Sequence, residues 1–175
     1  YFATFGYSFA DKYFVDASFR RDGSSLFAEN HRWGNFWSAG AMWDITKERF
    51  MKDVKWMNKL QLKASYGSVG NSSGLSPYMA MGLIGTGPLY NGVGGTAVAN
   101  PANPDLTWEV VKSTNIAINT RMFNRVNLDV ELYNRDTEDM LMDIPYSYTT
   151  GFSGGWGNVA SMRNKGVDVT ANFEI

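Results

Sequence analysis

The chain has 175 residues, with 16 Lys or Arg against 17 Asp or Glu, one histidine and no cysteine. A near-neutral charge lacks the cationic surplus that binding nucleic acid requires, and the absence of cysteine excludes a disulfide framework and a thiolate metal site. Phe, Trp and Tyr make up 15% of the residues, and 18 glycines stand against five prolines, a β-type composition.

Apolar and polar residues alternate with period two through most of the chain, which predicts strands. The first spans Phe2 to Ala10, with Ala3, Phe5, Tyr7 and Phe9 on one face. A turn at Asp11-Lys12 leads into the second, Tyr13 to Arg21, where Tyr13, Val15, Ala17 and Phe19 oppose Asp16, Ser18 and Arg20. The third is Asn35 to Thr46, with Trp37, Ala39, Ala41, Trp43 and Ile45 opposite Ser38, Gly40 and Asp44. The fourth, Lys59 to Ser68, sets Leu60, Leu62, Ala64 and Tyr66 against Gln61, Lys63 and Ser65. Trp108 to Arg121 gives a fifth, carrying Ile116 and Ile118. The sixth opens "RVNLDVELY", with Val126, Leu128, Val130 and Leu132 opposite Asn127, Asp129, Glu131 and Tyr133. The seventh, Lys165 to Ile175, alternates Val167, Val169, Ala171, Phe173 and Ile175 with Asp168, Thr170, Asn172 and Glu174. A weaker stretch, Gly155 to Arg163, is read as a possible partner for the seventh.

The connections differ in kind. Residues 11–12 and 122–125 are tight turns and 47–58 is moderate, whereas 22–34, 69–107 and the Gly-rich 138–164 are long. Structureless loops beyond about 12–15 residues are uncommon in compact domains. Here the two longest fall on the same end of an up-and-down meander. That layout fits a transmembrane β-barrel, with short periplasmic turns, long extracellular loops and strands that are apolar outside and polar inside. The expected fold is therefore all-β, an antiparallel up-and-down meander forming part of such a barrel, with Phe9, Tyr13, Trp43, Tyr133 and Phe173 as interfacial aromatics. The competing reading is a soluble extracellular β-sandwich, a binding or adhesion module, which shows the same alternation. No run approaches the roughly 20 apolar residues of a membrane helix. No basic segment followed by an apolar one marks a signal peptide. Both ends fall within strand patterns, so the chain is expected to be cut from a longer protein.

Several stretches carry a more specific signal. "RRDGSSLFAENHRWGNFWSAGAMWDIT" (Arg20 to Thr46), "LQLKASYGSVGN" (Leu60 to Asn71) and "NPDLTWEVVKSTNIAI" (Asn103 to Ile118) resemble consecutive blocks of the SusC/RagA family of TonB-dependent outer-membrane transporters. "RVNLDVELYNRDTEDMLMDIPYSYTTGF" and "NVASMRNKGVDVTANFEI" are similar to the hairpin and strand that follow. The resemblance implies one segment, residues 1–175, of the C-terminal barrel, with plug domain and TonB box outside it. It further implies import of glycans or peptides across the outer membrane of Bacteroidota. The implied partners are a SusD/RagB-type surface lipoprotein, the TonB complex acting through the missing N-terminal part, and outer-membrane lipid. No cofactor and no covalent chemistry are implied.

On this reading Asp16, Arg20, Lys63, Asp129, Glu131 and Asp168 face the lumen or the plug. The loop aromatics Tyr78, Tyr90, Tyr146, Tyr148, Phe152 and Trp156 are candidates for contact with substrate or lid, since flat rings supply large rigid contact area; the alternative is that they pack on neighbouring loops. "GTGPLYNGVGG" (Gly85 to Gly95) lacks the Lys-Ser or Lys-Thr of a phosphate loop and is read as a mobile extracellular loop. Asp136, Glu138, Asp139 and Asp143 could offer oxygens to a hard cation, but lack calcium-loop spacing and are read as a solvated loop partly balanced by Arg135. His31 is the only histidine, so it cannot build a multi-histidine metal site, and the nearby Ser24 and Ser25 lack a nucleophile-elbow setting. Asn71 opens an Asn-Ser-Ser glycosylation acceptor that nothing else in the sequence supports.

Overall fold

The structure, a computed structural model, describes residues 1–174, and for residues 87–90 the backbone alone. Strands β1 (Phe2–Phe9), β2 (Tyr13–Gly23), β3 (Trp33–Asp44), β4 (Met57–Asn71), β7 (Glu109–Met122), β8 (Val126–Pro145) and β9 (Gly154–Phe173) form one antiparallel sheet in that order. The sheet is a meander interrupted once, between β4 and β7. There β5 (Leu83–Tyr90) and β6 (Val93–Asn100) form a separate two-stranded hairpin.

The strand order places residues 10–12, 45–56 and 123–125 at one end of the sheet, and residues 24–32, 72–108 and 146–153 at the other. The shortest joints are made without glycine: Ala10 and Asp11, and likewise Phe123 and Asn124, sit consecutively at φ between 52° and 56°. Primed-type turns of this kind match the twist of the flanking strands. Trp56 stacks on Phe123 at 5.9 Å, and Phe123 donates its backbone N–H to Trp56 O, so the β7–β8 turn is fastened to the β3–β4 connection.

Directly paired residues of antiparallel strands point to the same face. The register therefore assembles the alternations into continuous rows. Tyr7, Val15, Ala41, Ala64, Ile116, Leu132 and Val167 form one row across all seven strands, and Phe9, Tyr13, Trp43, Leu62, Ile118, Val130 and Val169 the next. Burial does not follow this apolar face. Phe5, Tyr7, Phe9, Ile116, Leu132, Val167 and Val169 are all exposed. A sandwich would cover that face with a second sheet. Here β5 and β6 instead make their main contacts with each other.

The buried core lies at the loop end, beyond the last residues through which β3 pairs with β4. Phe27, Phe36, Ala80, Leu106 and Trp108 form it, with Leu75, Val110, Leu141 and Trp156 packed around them. Phe36 belongs to the polar side of β3, as the register partner of Arg20. A Cβ on Gly70 would lie 2.0 Å from Phe36 Cζ and one on Gly34 2.5 Å from it, so the ring occupies space that only glycine leaves on both strands.

Three expectations need correction. Residues 138–164 are not one long loop: β8 and β9 each run 20 residues and stay paired up to Pro145 and Gly154. Gly155 to Arg163 is the first half of β9 and pairs with β8, not with the segment after it. Tyr133 is not an interfacial aromatic. It points to the polar face, and its ring takes the place of a side chain on its partner Gly166, whose Cβ would lie 2.4 Å from the Tyr133 hydroxyl oxygen.

Candidate functional site

The polar face is hollowed where β2, β3, β4, β7 and β8 pass, and Asp16, Lys63, Ser65, Asn115 and Glu131 line the hollow. Glu131 and Asp168 are register partners and line a second hollow with Arg135. Asp129 accepts a 2.6 Å hydrogen bond from Asn119 Nδ2. Arg20 pairs with Asp22 at 2.7 Å and stands nearer the rim, beside Phe36 and Ser68. The six charged residues singled out in the sequence thus share one face, in separate small groups. Near the turn end Asp44 is buried: its Oδ2 accepts from Gln61 Nε2 at 3.2 Å, while Oδ1 has no protein donor.

The aromatic candidates do not converge. Trp156 packs against the rim core, and its carbonyl accepts from Asn103 Nδ2 at 2.8 Å. Tyr146 lies over Gly155 together with Pro101. Tyr148 is 86% exposed in the short turn Tyr148–Thr150, Phe152 is half-buried beside it, and Tyr78 is exposed at φ 69°. The side chain of Tyr90 lies outside the described residues. The rim is held mainly by groups the alternation pattern does not reveal. Glu109 accepts from Asn71 Nδ2 (3.0 Å) and from the Leu141 N–H (3.2 Å), tying β4, β7 and β8 together. Asn158 exchanges hydrogen bonds with the backbone of Thr107 and also donates to Asp139 O. Asn91-Gly92, at φ 50° and 79°, makes the β5–β6 turn. It is the sequence signal for a hairpin in what reads otherwise as a glycine-rich loop.

Two of the four residues in the acidic group are held in ion pairs. Asp136 pairs with Arg163, and Glu138 pairs with Lys112 at 2.5 Å. Arg135, expected to balance them, is on the other face, in the row of Ser113 and Asn164. Among the described residues no group of three or more His, Cys, Asp or Glu is placed to hold a metal ion.

At the turn end the apolar face closes on a belt. Phe9, Tyr13 and Trp43 stack in a row at 6.5 and 6.2 Å. Glu48, in the β3–β4 connection, accepts from Lys12 Nζ (3.0 Å), Tyr13 Oη (2.8 Å) and Trp43 Nε1 (3.3 Å). The Lys12 ammonium first, then the Tyr13 hydroxyl, hold the Glu48 carboxyl below the ordinary glutamate range. A depressed folded-state value makes these contacts stabilising above the ordinary glutamate pKa, and the stabilisation is lost as pH falls through the depressed value. Glu48→Gln is therefore expected to flatten part of the acid sensitivity. Urea midpoints at neutral pH and below pH 4 should differ less in that variant than in the parent; an equal difference would show that Glu48 does not couple the belt to pH.

Comparison with known proteins places these features together. Residues 1–174 match the family described as TonB dependent receptor-like, beta-barrel. The chain is 39% identical over 170 residues to TonB-dependent receptor P39 of Formosa agariphila, covering 97% of this chain and 16% of that protein. It is 28% identical to TonB-dependent receptor SusC of Bacteroides thetaiotaomicron, covering 98% of this chain and 18% of SusC. Among solved structures, the RagAB peptide importer in its closed-closed state superposes with a TM-score of 0.91 at 36% identity, over 99% of this chain and 19% of the matched one. The chain thus spans less than a fifth of the length of these relatives. The chain belongs to the TonB-dependent receptor family and forms part of the antiparallel wall of its β-barrel.

Proposed function

We propose that these residues are one section of the barrel wall of an outer-membrane nutrient importer of the SusC/RagA type. The observation that carries this is the exposed apolar face, continuous through seven strands, backed by a hollowed polar face. Lipid satisfies the first and a wet lumen the second, and a soluble fold would leave the first uncovered. The barrel is completed by strands outside this chain, which pair with the free edges of β1 and β9. Asp16, Arg20, Lys63, Asp129, Glu131 and Asp168 face the lumen and the plug. The extended β8–β9 hairpin and the β5–β6 hairpin stand on the extracellular side, where Tyr78, Tyr146, Tyr148 and Phe152 offer contact area to substrate and lid. Trp156 serves the rim instead.

Kinship supports the rest of this reading: import of a glycan or peptide, a SusD/RagB-like surface lipoprotein as lid, and energy delivered by TonB to the plug. The likeness to the RagAB peptide importer supports the class of activity. A Bacteroidota origin is supported by the kinship to SusC of Bacteroides thetaiotaomicron.

Leu128 and Asp129 are neighbours in β8 and point to opposite faces. In the full-length protein reconstituted in vesicles, a cysteine replacing Leu128 should react with a lipid-soluble maleimide and resist a water-soluble one. A cysteine replacing Asp129 should do the reverse. Equal aqueous labelling at both positions would overturn the lipid-facing assignment.

A further inference from the structure

Towards the loop end, the outward face of β7–β9 changes from aliphatic to charged within two residues. Ile116, Leu132 and Val167 form the last apolar row; Thr114, Asn134 and Lys165 form the next; Lys112, Asp136 and Arg163 the one beyond. Three cations therefore stand directly above exposed aliphatic side chains, with Leu132 50%, Val167 59% and Val169 63% exposed. Two carboxylates accompany them, and both are used to hold cations in place. Asp136 binds the Arg163 Nε and accepts from Asn134 Nδ2 at 3.0 Å, while Glu138 binds Lys112. In the first pair the carboxylate is tucked in and the guanidinium is outside, with side-chain exposures of 23% and 63%. Arginine has five N–H donors, so the pairing through Nε leaves the others for a second acceptor.

We propose that Arg163, Lys165 and Lys112 form a binding site for the phosphate headgroup of an outer-leaflet glycolipid, whose acyl chains lie along Leu132, Val167 and Val169. This inference rests on the lipid-facing assignment of the apolar face. Arg163 and Lys165 are two residues apart on one strand, about 7 Å, and Lys112 is two strands away, about 10 Å. A phosphorylated sugar can span that triangle. The combination of cations with an apolar surface immediately below selects a lipid over a free anion, because only a lipid satisfies both halves.

The experiment uses the full-length protein in mild detergent, with native mass spectrometry reading retained lipid. The probes are phosphorylated lipid A, dephosphorylated lipid A and inorganic phosphate. The parent is expected to retain phosphorylated lipid A, to bind the dephosphorylated form much less, and to keep its lipid against millimolar phosphate. Near a membrane surface each Lys or Arg is worth about 1 kcal/mol towards an anionic lipid. The double variant Arg163→Ala/Lys165→Ala should therefore bind about 30-fold more weakly, and Lys165→Gln alone about fivefold. The single variant serves if the double one does not fold, which a heat-induced gel shift reveals. Lys52→Ala, at the turn end, should change nothing. Unchanged retention in the folded variants, equal binding of dephosphorylated lipid A, or displacement by inorganic phosphate would each overturn the site. If Leu128 labels from lipid while lipid A retention is unaffected, this site alone is lost. Aqueous labelling at Leu128 would remove the barrel assignment together with it.

Discussion

Phe36→Ala is expected to loosen the loop end by about 3–5 kcal/mol while leaving the wall strands paired. Phe36 is 4% exposed and packs edge-on against Trp108 at 5.5 Å, and Phe27 closes on the same indole at 5.1 Å. These three rings join the β2–β3 connection, β3 and the start of β7, and Leu106 and Ala80 bring in the long insertion. Removing one ring leaves a cavity that backbone pinned in a sheet cannot collapse to fill. Limited proteolysis of the full-length protein should then cut within residues 72–108 at protease concentrations the parent resists, while the protein remains a folded barrel on an unheated gel. A sharper check uses the glycines. Gly70→Ala places a methyl where the Phe36 ring is, which overpacking data put at about 1–3 kcal/mol. In the Phe36→Ala background the same methyl enters empty space, so its cost should vanish or change sign. A double-mutant cycle with no coupling would mean that the ring does not occupy that space.

The second large effect concerns the other face. Val130→Arg is expected to cost about 2–4 kcal/mol of folding into a bilayer, because Val130 lies in the apolar row between Ile118 and Val169, on the face proposed to meet lipid. Its neighbour Glu131 points to the hollow lined by Asp16 and Lys63, and Glu131→Arg should cost no more than an ordinary surface change, about 0.5 kcal/mol. Denaturant midpoints for the two variants in lipid vesicles should therefore separate widely. Similar costs would mean that both faces are wet, and the barrel assignment would fall.

The wall strands were legible because period-two alternation is imposed on each strand locally, by the contrast between an apolar and a polar face of one sheet. Val15 to Phe19 and Val126 to Leu132 show it without interruption. The β8–β9 extension was not legible. Asp139, at φ 54°, breaks the alternation at a register shift, and Gly154, Gly155 and Gly157 read as loop residues. They are in fact strand residues lying beneath neighbours: Tyr146 covers Gly155 and Ile144 covers Gly157. The rim core was hidden for a related reason. Phe36 stands on the polar side of its strand, where the pattern expects a wetted residue, and it is buried by partners far away in sequence. Of the aromatic candidates, Trp156 was drawn into that core, which no local spacing could show. The Asn91-Gly92 turn could have been read from sequence alone and marks the one hairpin the alternation missed.

The stem of the insertion has a consequence for how such walls diversify. Asn71 and Glu109 are register partners joined side chain to side chain, so the chain leaves the sheet and returns to it at adjacent points. For a loop whose ends already meet, the entropy of closure grows only with the logarithm of its length, and each doubling costs about 0.6 kcal/mol. The segment between those two residues can therefore lengthen, shorten or be exchanged almost without cost to the wall, provided that Leu106 and Trp108 remain to plug the rim. Sequence change can therefore concentrate in this insertion while the paired strands of the wall stay as they are.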